Sequence, residues 1–337
     1  MRSAAWITFR AVVALMLMAG FYLLGIAVAA SLLLVPYAEF AYGGQFLRVS
    51  SRLSLGIAAV CIGAAGSILW SLVPRLDKFE PPGIQLTPAT QPRLFAVLNE
   101  VAVAMKQRMP AEVYLLCDVD AWVTHRGGVM GVGSRRVMGL GLPLLQLVSV
   151  SELKAILAHE FAHYCTGDVK LGPWIYKTRG AIARTLAGLS GTGFDSLFFG
   201  YGRLFLRVSA AVSRHQEYFA DRLAAGAMGA GPLVSGLRKV SVGGHALGSY
   251  MTGEFGPVLA AGYVPSLVEG FSTYLEQPHL SDALYGRDDS LPSGSRPDQY
   301  DTHPALADRV AALNAVLVPP GTESSEDAID LLGPVKK

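Results

Sequence analysis

The sequence predicts a mainly helical α+β protein in which an N-terminal transmembrane helical hairpin precedes a domain with a small β-sheet. Three observations carry that expectation. Two long uncharged apolar runs lie near the N-terminus. Short β-rich segments follow Pro81-Pro82-Gly83, and a helix-capping signature opens the segment that holds His159-Glu160-Phe161-Ala162-His163. A hydrophobic fraction of 51% is high for a soluble protein. A net charge of +2 provides no basic field for nucleic acid, which is excluded as a partner.

Ala11 to Val35 is a run of 25 residues without a charge. At about 1.5 Å per residue it can cross a hydrocarbon core of about 30 Å. Leu53 to Val73 supplies a second uncharged run of 21. Trp6, Tyr37, Phe40, Tyr42 and Trp70 lie near the expected ends, where amphipathic rings favour the headgroup layer. Gly56, Ala59, Gly63 and Gly66 would let a neighbouring helix approach closely. We therefore expect spans at about 11–35 and 53–73, forming a hairpin within residues 1–80. Arg10 and the small residues Ala27 to Ala30 also suit a cleaved leader, but the apolar run continues through Ser31 to Val35, as an anchor requires. Arg2, Arg10, Arg75 and Lys78 flank the outer ends of the hairpin, against Arg48 and Arg52 in its loop. The positive-inside rule then gives an integral protein of the cell (inner) membrane, in contact with the lipid bilayer, with its large C-terminal part cytoplasmic.

Residues 81–318 are enough for one domain with a sizeable core. Leu94 to Met105 reads as an amphipathic helix, and Val113 to Cys117, Ala121 to His125 and Arg136 to Leu140 as strands. Gly127, Gly128, Gly131 and Gly133 lack phosphate-loop spacing and read as turn chemistry. Ser149 with Glu152 is a capping box and Gly167 a residue past a helix end, so a helix is expected over about 150–166. Leu153, Leu157, Phe161 and Tyr164 share its core face. His159 and His163, four residues apart, project one turn apart and can grip one metal ion, while Glu160 can reach a water at the metal's open position. The plainer reading is two histidines that satisfy buried hydrogen bonds, and the intervening Glu160 argues against it. Cys61, Cys117 and Cys165 form neither a disulfide framework nor a cysteine metal site.

Phe194 to Val212 is aromatic and apolar but carries Asp195, Arg203 and Arg207. Each central charge costs roughly 2.5–3.5 kcal/mol on insertion, so a packed helix or a headgroup-level segment is expected rather than a third span. Residues 286–301 read as a polar loop. Residues 319–337 read as a mobile tail, with a weak helical patch at Glu326 to Leu332. A catalytic metal needs a third protein ligand. Glu217 is the candidate, because Asp221 lies one turn further on and could accept the outer N–H of a ligating imidazole. His215 is the rival, facing nearly opposite on the same helix.

With these residues in place, the chain resembles the membrane-associated gluzincin metallopeptidases, the family of HtpX and the type I CAAX prenyl endopeptidase. The resemblance covers roughly residues 85–320. It rests on His159-Glu160-Phe161-Ala162-His163, Gly167-Asp168, the Glu217 and Asp221 pair, and Thr302-His303-Pro304 with Arg309. It implies a zincin-type metallopeptidase domain with one Zn2+ per chain, held by His159, His163 and Glu217, with Glu160 as general base and Asp168 and Asp221 behind the ligands. It also implies a polypeptide substrate, unfolded or membrane-associated, and a role in membrane-protein quality control or regulated processing. His303 or Arg309 could donate to the developing oxyanion. Alternatively, Thr302, His303 and Pro304 only open a helix running to Leu317. Strands near Ala121 to Leu140 could bind an extended peptide. Two features depart from the family: the charged segment between the metal helix and Glu217, and Asp120-Ala121-Trp122 where an Asn-Ala element is usual. A membrane sensor or scaffold with a regulatory zinc domain is the alternative reading. An intramembrane protease fits poorly, because Glu152, Lys154 and Asp168 bracket the motif.

Overall fold

The computed structural model describes residues 4–43, 45–73, 79–127, 133–165, 171–191, 195–285, 301–315 and 324–333. The chain falls into two compact units. One comprises Met1–Leu76, Lys170–Ser213 and Gln299–Thr302, and the other Asp77–Val169, Arg214–Asp298 and His303–Lys337.

The first unit is all-helical. Helices α1 (Ala4–Ala41) and α2 (Ser51–Leu72) lie side by side, as the uncharged runs require. By length and composition, Val12–Ala41 and Ser51–Leu72 can each cross a membrane. A Cβ on Gly25 of α1 would lie 2.9 Å from Leu72 Cδ1, whereas one at Gly56, Gly63 or Gly66 of α2 would meet nothing within 4 Å among the described residues, so the glycines expected to admit a neighbour do not sit at this contact. At the loop end, buried Glu39 accepts hydrogen bonds from Ser54 Oγ (2.6 Å) and Leu47 N (2.9 Å). Helix α6 (Leu171–Leu189) and the first part of α7 (Asp195–Met228) complete the unit. Phe198 and Phe205 of α7 are fully buried with Phe21, Ala65 and Ile68. Asp195 to Val212 is thus helical with one packed face, while Leu197, Phe199 and Leu204 are exposed. Arg184 donates to the carbonyl of Ser71 (3.1 Å) in the last turn of α2, where a cation complements the helix dipole. Leu23, Leu55 and Trp70 are exposed on the two long helices, an outward face suited to lipid.

The second unit is α+β. A four-stranded sheet has the order β1-β2-β4-β3, built from β1 (Ile84–Leu86), β2 (Glu112–Leu116), β3 (Ala121–Arg126) and β4 (Arg135–Gly141). The β2–β4 pair is parallel and the other two pairs are antiparallel. Val137 to Gly141 is buried without alternation, as expected of an inner strand covered on both faces. β3 is an edge strand. In its register Trp122 faces Gly139, where a Cβ would sit 2.3 Å from the indole, so only glycine fits. Gly127 and Gly133 adopt φ of 79° and 75°, the turn conformations expected of their cluster, while Gly128 and Gly131 lie outside the described residues.

Helix α3 (Pro92–Ala104), α4 (Leu142–Leu147) and α5 (Val150–Ala162) follow the chain around this sheet, and α5 packs on α3, β3 and α8 (Ala230–Tyr250). Leu94, Leu98, Met138, Leu140, Leu153, Leu157 and Phe161 form the centre of the core. α5 ends at Ala162 rather than 166, and its capping box is present: Ser149 Oγ accepts from Glu152 N (3.3 Å), and Glu152 Oε2 accepts from Ser149 N (2.7 Å). Glu152 is buried and also accepts from Ser235 Oγ (2.5 Å) and Lys239 Nζ (2.8 Å). The remaining helices are α9 (Gly256–Ala260), α10 (Leu267–Leu275), α11 (Pro278–Tyr285) and α12 (Leu306–Asn314), with a π-helical turn at Met251–Phe255.

Residues 324–333 pack against the domain, unlike the mobile end expected from composition. Val150 N donates to Glu326 O (2.8 Å) and Ala328 N to Val148 O (2.9 Å), while Arg93 binds Glu326 and the carbonyl of Asp330. Ala328 and Leu331, in a short 3-10 turn, are buried. Residues 286–300 of the expected polar loop lie outside the described residues.

Ser149→Ala deletes one half of the capping box while leaving Glu152 in place. It is expected to lower stability by about 1 kcal/mol, read as a shifted urea midpoint of the detergent-solubilised protein. An unshifted midpoint would mean that the chain from Glu326 to Ala328 fixes this helix end without the serine.

Candidate metal centre

Helix α5 presents His159, and His163 is its C-cap residue, with the two rings 4.9 Å apart at 85°. The second part of α7 presents Glu217 and Asp221, one turn apart and both buried. His159 Nε2 lies 3.3 Å from Glu217 Oε2, and His163 Nε2 lies 3.7 Å from Glu217 Oε1. Ligand atoms of His159, His163 and Glu217 are all within 4.8 Å of one another, so this trio could hold a metal ion. Donors about 2.0–2.2 Å from a shared tetrahedral ion sit about 3.3–3.6 Å apart, and the two Glu217 contacts, at 3.3 and 3.7 Å, are close to that. Among the described residues, Glu217 Oε2 is buried with no donor in hydrogen-bond geometry, His159 Nε2 standing 3.3 Å away, an arrangement that a cation would relieve. The residues therefore fit a metal. His215 does not join the group among the described residues.

Asp221 supports the trio from behind. Its Oδ1 lies 3.0 Å from His159 Nδ1, which donates and so makes Nε2, on the Glu217 side, the nitrogen whose proton a metal would replace. Arg309, on α12, grips Asp221 in a fork, with Nε donating to Oδ2 (2.9 Å) and Nη2 to Oδ1 (2.6 Å). Its Nη2 is 3.8 Å from Glu217 Oε2. His303 Nδ1 lies 3.2 Å from Glu217 Oε1, and the imidazole is largely exposed. His303 does not cap a helix: α12 starts at Leu306 with Ala305 in the cap position. Asp168 and Gly167 lie outside the described residues.

Charge is unevenly distributed here. Burial, reinforced by Asp120 and Glu217, outweighs the attraction of His159 and pushes the Glu160 carboxyl up to about 7. A hydrogen bond from the Val123 backbone ties Glu160 to edge strand β3. Burial opposes a charged His159, but the Asp221 and Glu217 carboxylates prevail and raise it to about 9. His163 is held down to about 4 by burial and by the charge on His159. Burial would raise Glu217, yet His159 and His303 keep it well below the carboxylate range. Burial raises Asp120 to about 6, with His303 and His159 pulling the other way. Sequence reasoning noted Asp120 only as a departure. Its signal was the position just before β3, where Oδ1 accepts from Ala121 N (2.8 Å).

A profile of peptidase family M48 matches residues 88–317, which include every residue of this cluster. The chain belongs to peptidase family M48. The M48 region follows the two apolar helices, and the trio gives this metalloprotease-family chain a possible His-Glu metal site. Among M48 relatives, protease HtpX of Serratia proteamaculans (strain 568) is 24% identical over 189 residues, covering 48% of this chain and 59% of that protein. The chain thus spans less than two thirds of the length of the curated relative it matches. No solved structure matches it.

A metal and a proton compete for His159 Nε2. Without metal, the folded protein keeps a proton on His159 up to about pH 9, whereas His163 is already bare above about pH 4. Metal uptake at pH 7 is therefore expected to release about one proton, and affinity to rise roughly tenfold per pH unit until about pH 9. Calorimetry in two buffers of different ionisation enthalpy measures that proton. Uptake without release would mean that the metal does not bind through His159.

Proposed function

We propose that the protein is a membrane-anchored zinc endopeptidase. The reading is carried by the buried Glu217 carboxylate, which faces two imidazoles with one oxygen lacking a donor in hydrogen-bond geometry among the described residues, next to a Glu160 carboxyl near pH 7. One Zn2+ held by His159, His163 and Glu217 would polarise a peptide carbonyl and lower the pKa of a water from 15.7 towards about 7. Glu160, tied to β3 through Val123, takes the proton of the attacking water and delivers it to the leaving amine. A carboxyl poised near the working pH can do both. Edge strand β3, whose main chain at Val123 is already engaged by Glu160 and Tyr164, accepts the substrate as an added extended strand along the rest of its length, which binds through main-chain hydrogen bonds and demands little of side chains.

His303 serves as the donor to the oxyanion, since its ring is exposed and already beside Glu217. Arg309 is spent on Asp221, so we assign it to holding His159 rather than to touching substrate. Asp168 is proposed to support the ligands, as the resemblance implies. The domain division follows the same reading: two spans within 1–80, a peptidase domain at 81–318 and a terminal segment at 319–337. Four flanking cations outside the hairpin against two in its loop support a cytoplasmic peptidase in the cell membrane. A site that reads backbone on a membrane-tethered chain suits quality control or regulated processing of unfolded or membrane-associated polypeptides.

Glu160→Gln should keep zinc but abolish proteolysis, whereas Glu217→Ala should lose most of both, measured by metal analysis and cleavage of an unfolded polypeptide. Near wild-type cleavage by Glu160→Gln would sink the mechanism, and full zinc in Glu217→Ala would move the ligand role elsewhere.

If His303 acts mainly in the transition state, His303→Ala lowers kcat by on the order of 100-fold with KM little changed and zinc retained. Unchanged turnover at full zinc would remove it from the mechanism.

A further inference from the structure

From Phe255 to Val268 the chain runs fourteen residues without a charge, and the fold leaves most of them exposed. Tyr263 is 71% and Val264 87% exposed, with Val258, Leu259 and Val268 beside them in sequence and also exposed. Contiguous apolar surface of this kind marks interaction sites. Backbone bonds hold it outward. Ala261 N donates to Pro257 O (3.0 Å) and Tyr263 N to Val258 O (3.2 Å), and Gly262, at φ 91°, makes the turn that ends α9. Ser266 Oγ then caps α10 by accepting from Glu269 N (3.3 Å). At the base, buried Tyr250 packs on the rings of Phe255, Phe271 and Tyr274 at 5.4–5.9 Å. The tyrosine fits because residue 270 is glycine, where a Cβ would lie 2.1 Å from its hydroxyl. A π-helical turn at Met251–Phe255 leads into the projection, a device common near functional sites.

The charge around it is one-sided. Residues 240–286 contain no Lys or Arg and four carboxylates, Glu254, Glu269, Glu276 and Asp282, in a chain whose net charge is +2. Glu254 and Glu269 bracket the apolar stretch and are exposed. Carboxylates are repelled by an anionic lipid surface and attract cations.

We propose that this projection is an exosite for polypeptide, holding an apolar segment flanked by Lys or Arg. The inference rests on the peptidase reading: one part of a substrate is retained here while another part is cleaved. The partner's apolar residues cover Val258, Leu259, Tyr263 and Val264, and its flanking cations meet Glu254 and Glu269.

The test uses the full chain in nanodiscs of zwitterionic lipid, with the Glu160→Gln form for binding. Two fluorescent peptides share one Leu- and Val-rich core, flanked by Lys in one and by Glu in the other. The Lys-flanked peptide should bind more tightly by about tenfold, and Tyr263→Ser with Val264→Ser should remove that binding by about the same factor at unchanged thermal midpoint. Glu254→Gln with Glu269→Gln should erase the preference between the peptides. In the active protein, the two serine substitutions should raise KM for a long substrate containing the Lys-flanked segment and leave kcat/KM for a short peptide without it unchanged. Equal binding by the serine variant overturns the exosite even if cleavage is intact. Specific binding with no cleavage of any peptide by the unsubstituted protein sinks the peptidase reading instead. An environment-sensitive dye at Val264→Cys that shifts to the blue in nanodiscs before peptide is added would assign the projection to the bilayer and overturn the proposal.

Discussion

A carboxylate almost sealed from water organises the candidate site. Asp221 is 1% exposed and receives hydrogen bonds from His159 Nδ1 and from two nitrogens of Arg309. An isolated charge at that depth would be driven to neutrality, so the position is tenable only with its partners in place. The same bonds dictate chemistry. A donating Nδ1 fixes the orientation of His159 and turns Nε2, the nitrogen that can give up its proton, towards Glu217. Because the three groups come from α5, α7 and α12, one carboxylate also sets where these helices stand relative to one another.

Electrostatics around this core leave a surplus of acid. Glu217, Asp221, Glu160 and Asp120 face one guanidinium and a set of imidazoles. The site relieves the excess by keeping protons, on His159 up to about pH 9 and on Glu160 up to about pH 7. A divalent cation would relieve it differently, releasing those protons. The raised Glu160 carboxyl and the setting that would favour a cation thus share one cause, carboxylates crowded where water is scarce.

Much of this was legible because helical periodicity is short-range. Four-residue spacing placed His159 beside His163 and Glu217 beside Asp221, and Ser149 with Glu152 announced the start of α5. Three strands were readable from β-formers, whereas β1 escaped because Ile84–Leu86 is too short to show alternation. Helix α8 was unreadable for a different reason. It holds Gly231, Gly236, Gly243, Gly244 and Gly248, which argue against a helix locally. Yet Gly236 and Gly243 lie against Ile156 and Leu147, so close packing decides what propensity opposes. Thr302-His303-Pro304 resembled a helix entrance, but the helix waits until Leu306. Polar composition after Pro319 reads as mobile, and although the helical patch at Glu326 to Leu332 was legible, the burial of Ala328 and Leu331 was not, because it depends on partners distant in sequence.

That terminal segment bears on the order of events. The backbone of Glu326 and Ala328 completes hydrogen bonding around Val148 and Val150, at the start of the helix that carries His159. Arg309, which steadies Asp221, lies 150 residues beyond His159. A ribosome therefore delivers the metal-gripping helix long before the groups that cap and orient it, and pairings this distant form slowly. The bonds that orient His159 through Asp221 are therefore complete only after residues beyond 303 have folded back, so chain order alone makes this cluster one of the last parts of the domain to assemble.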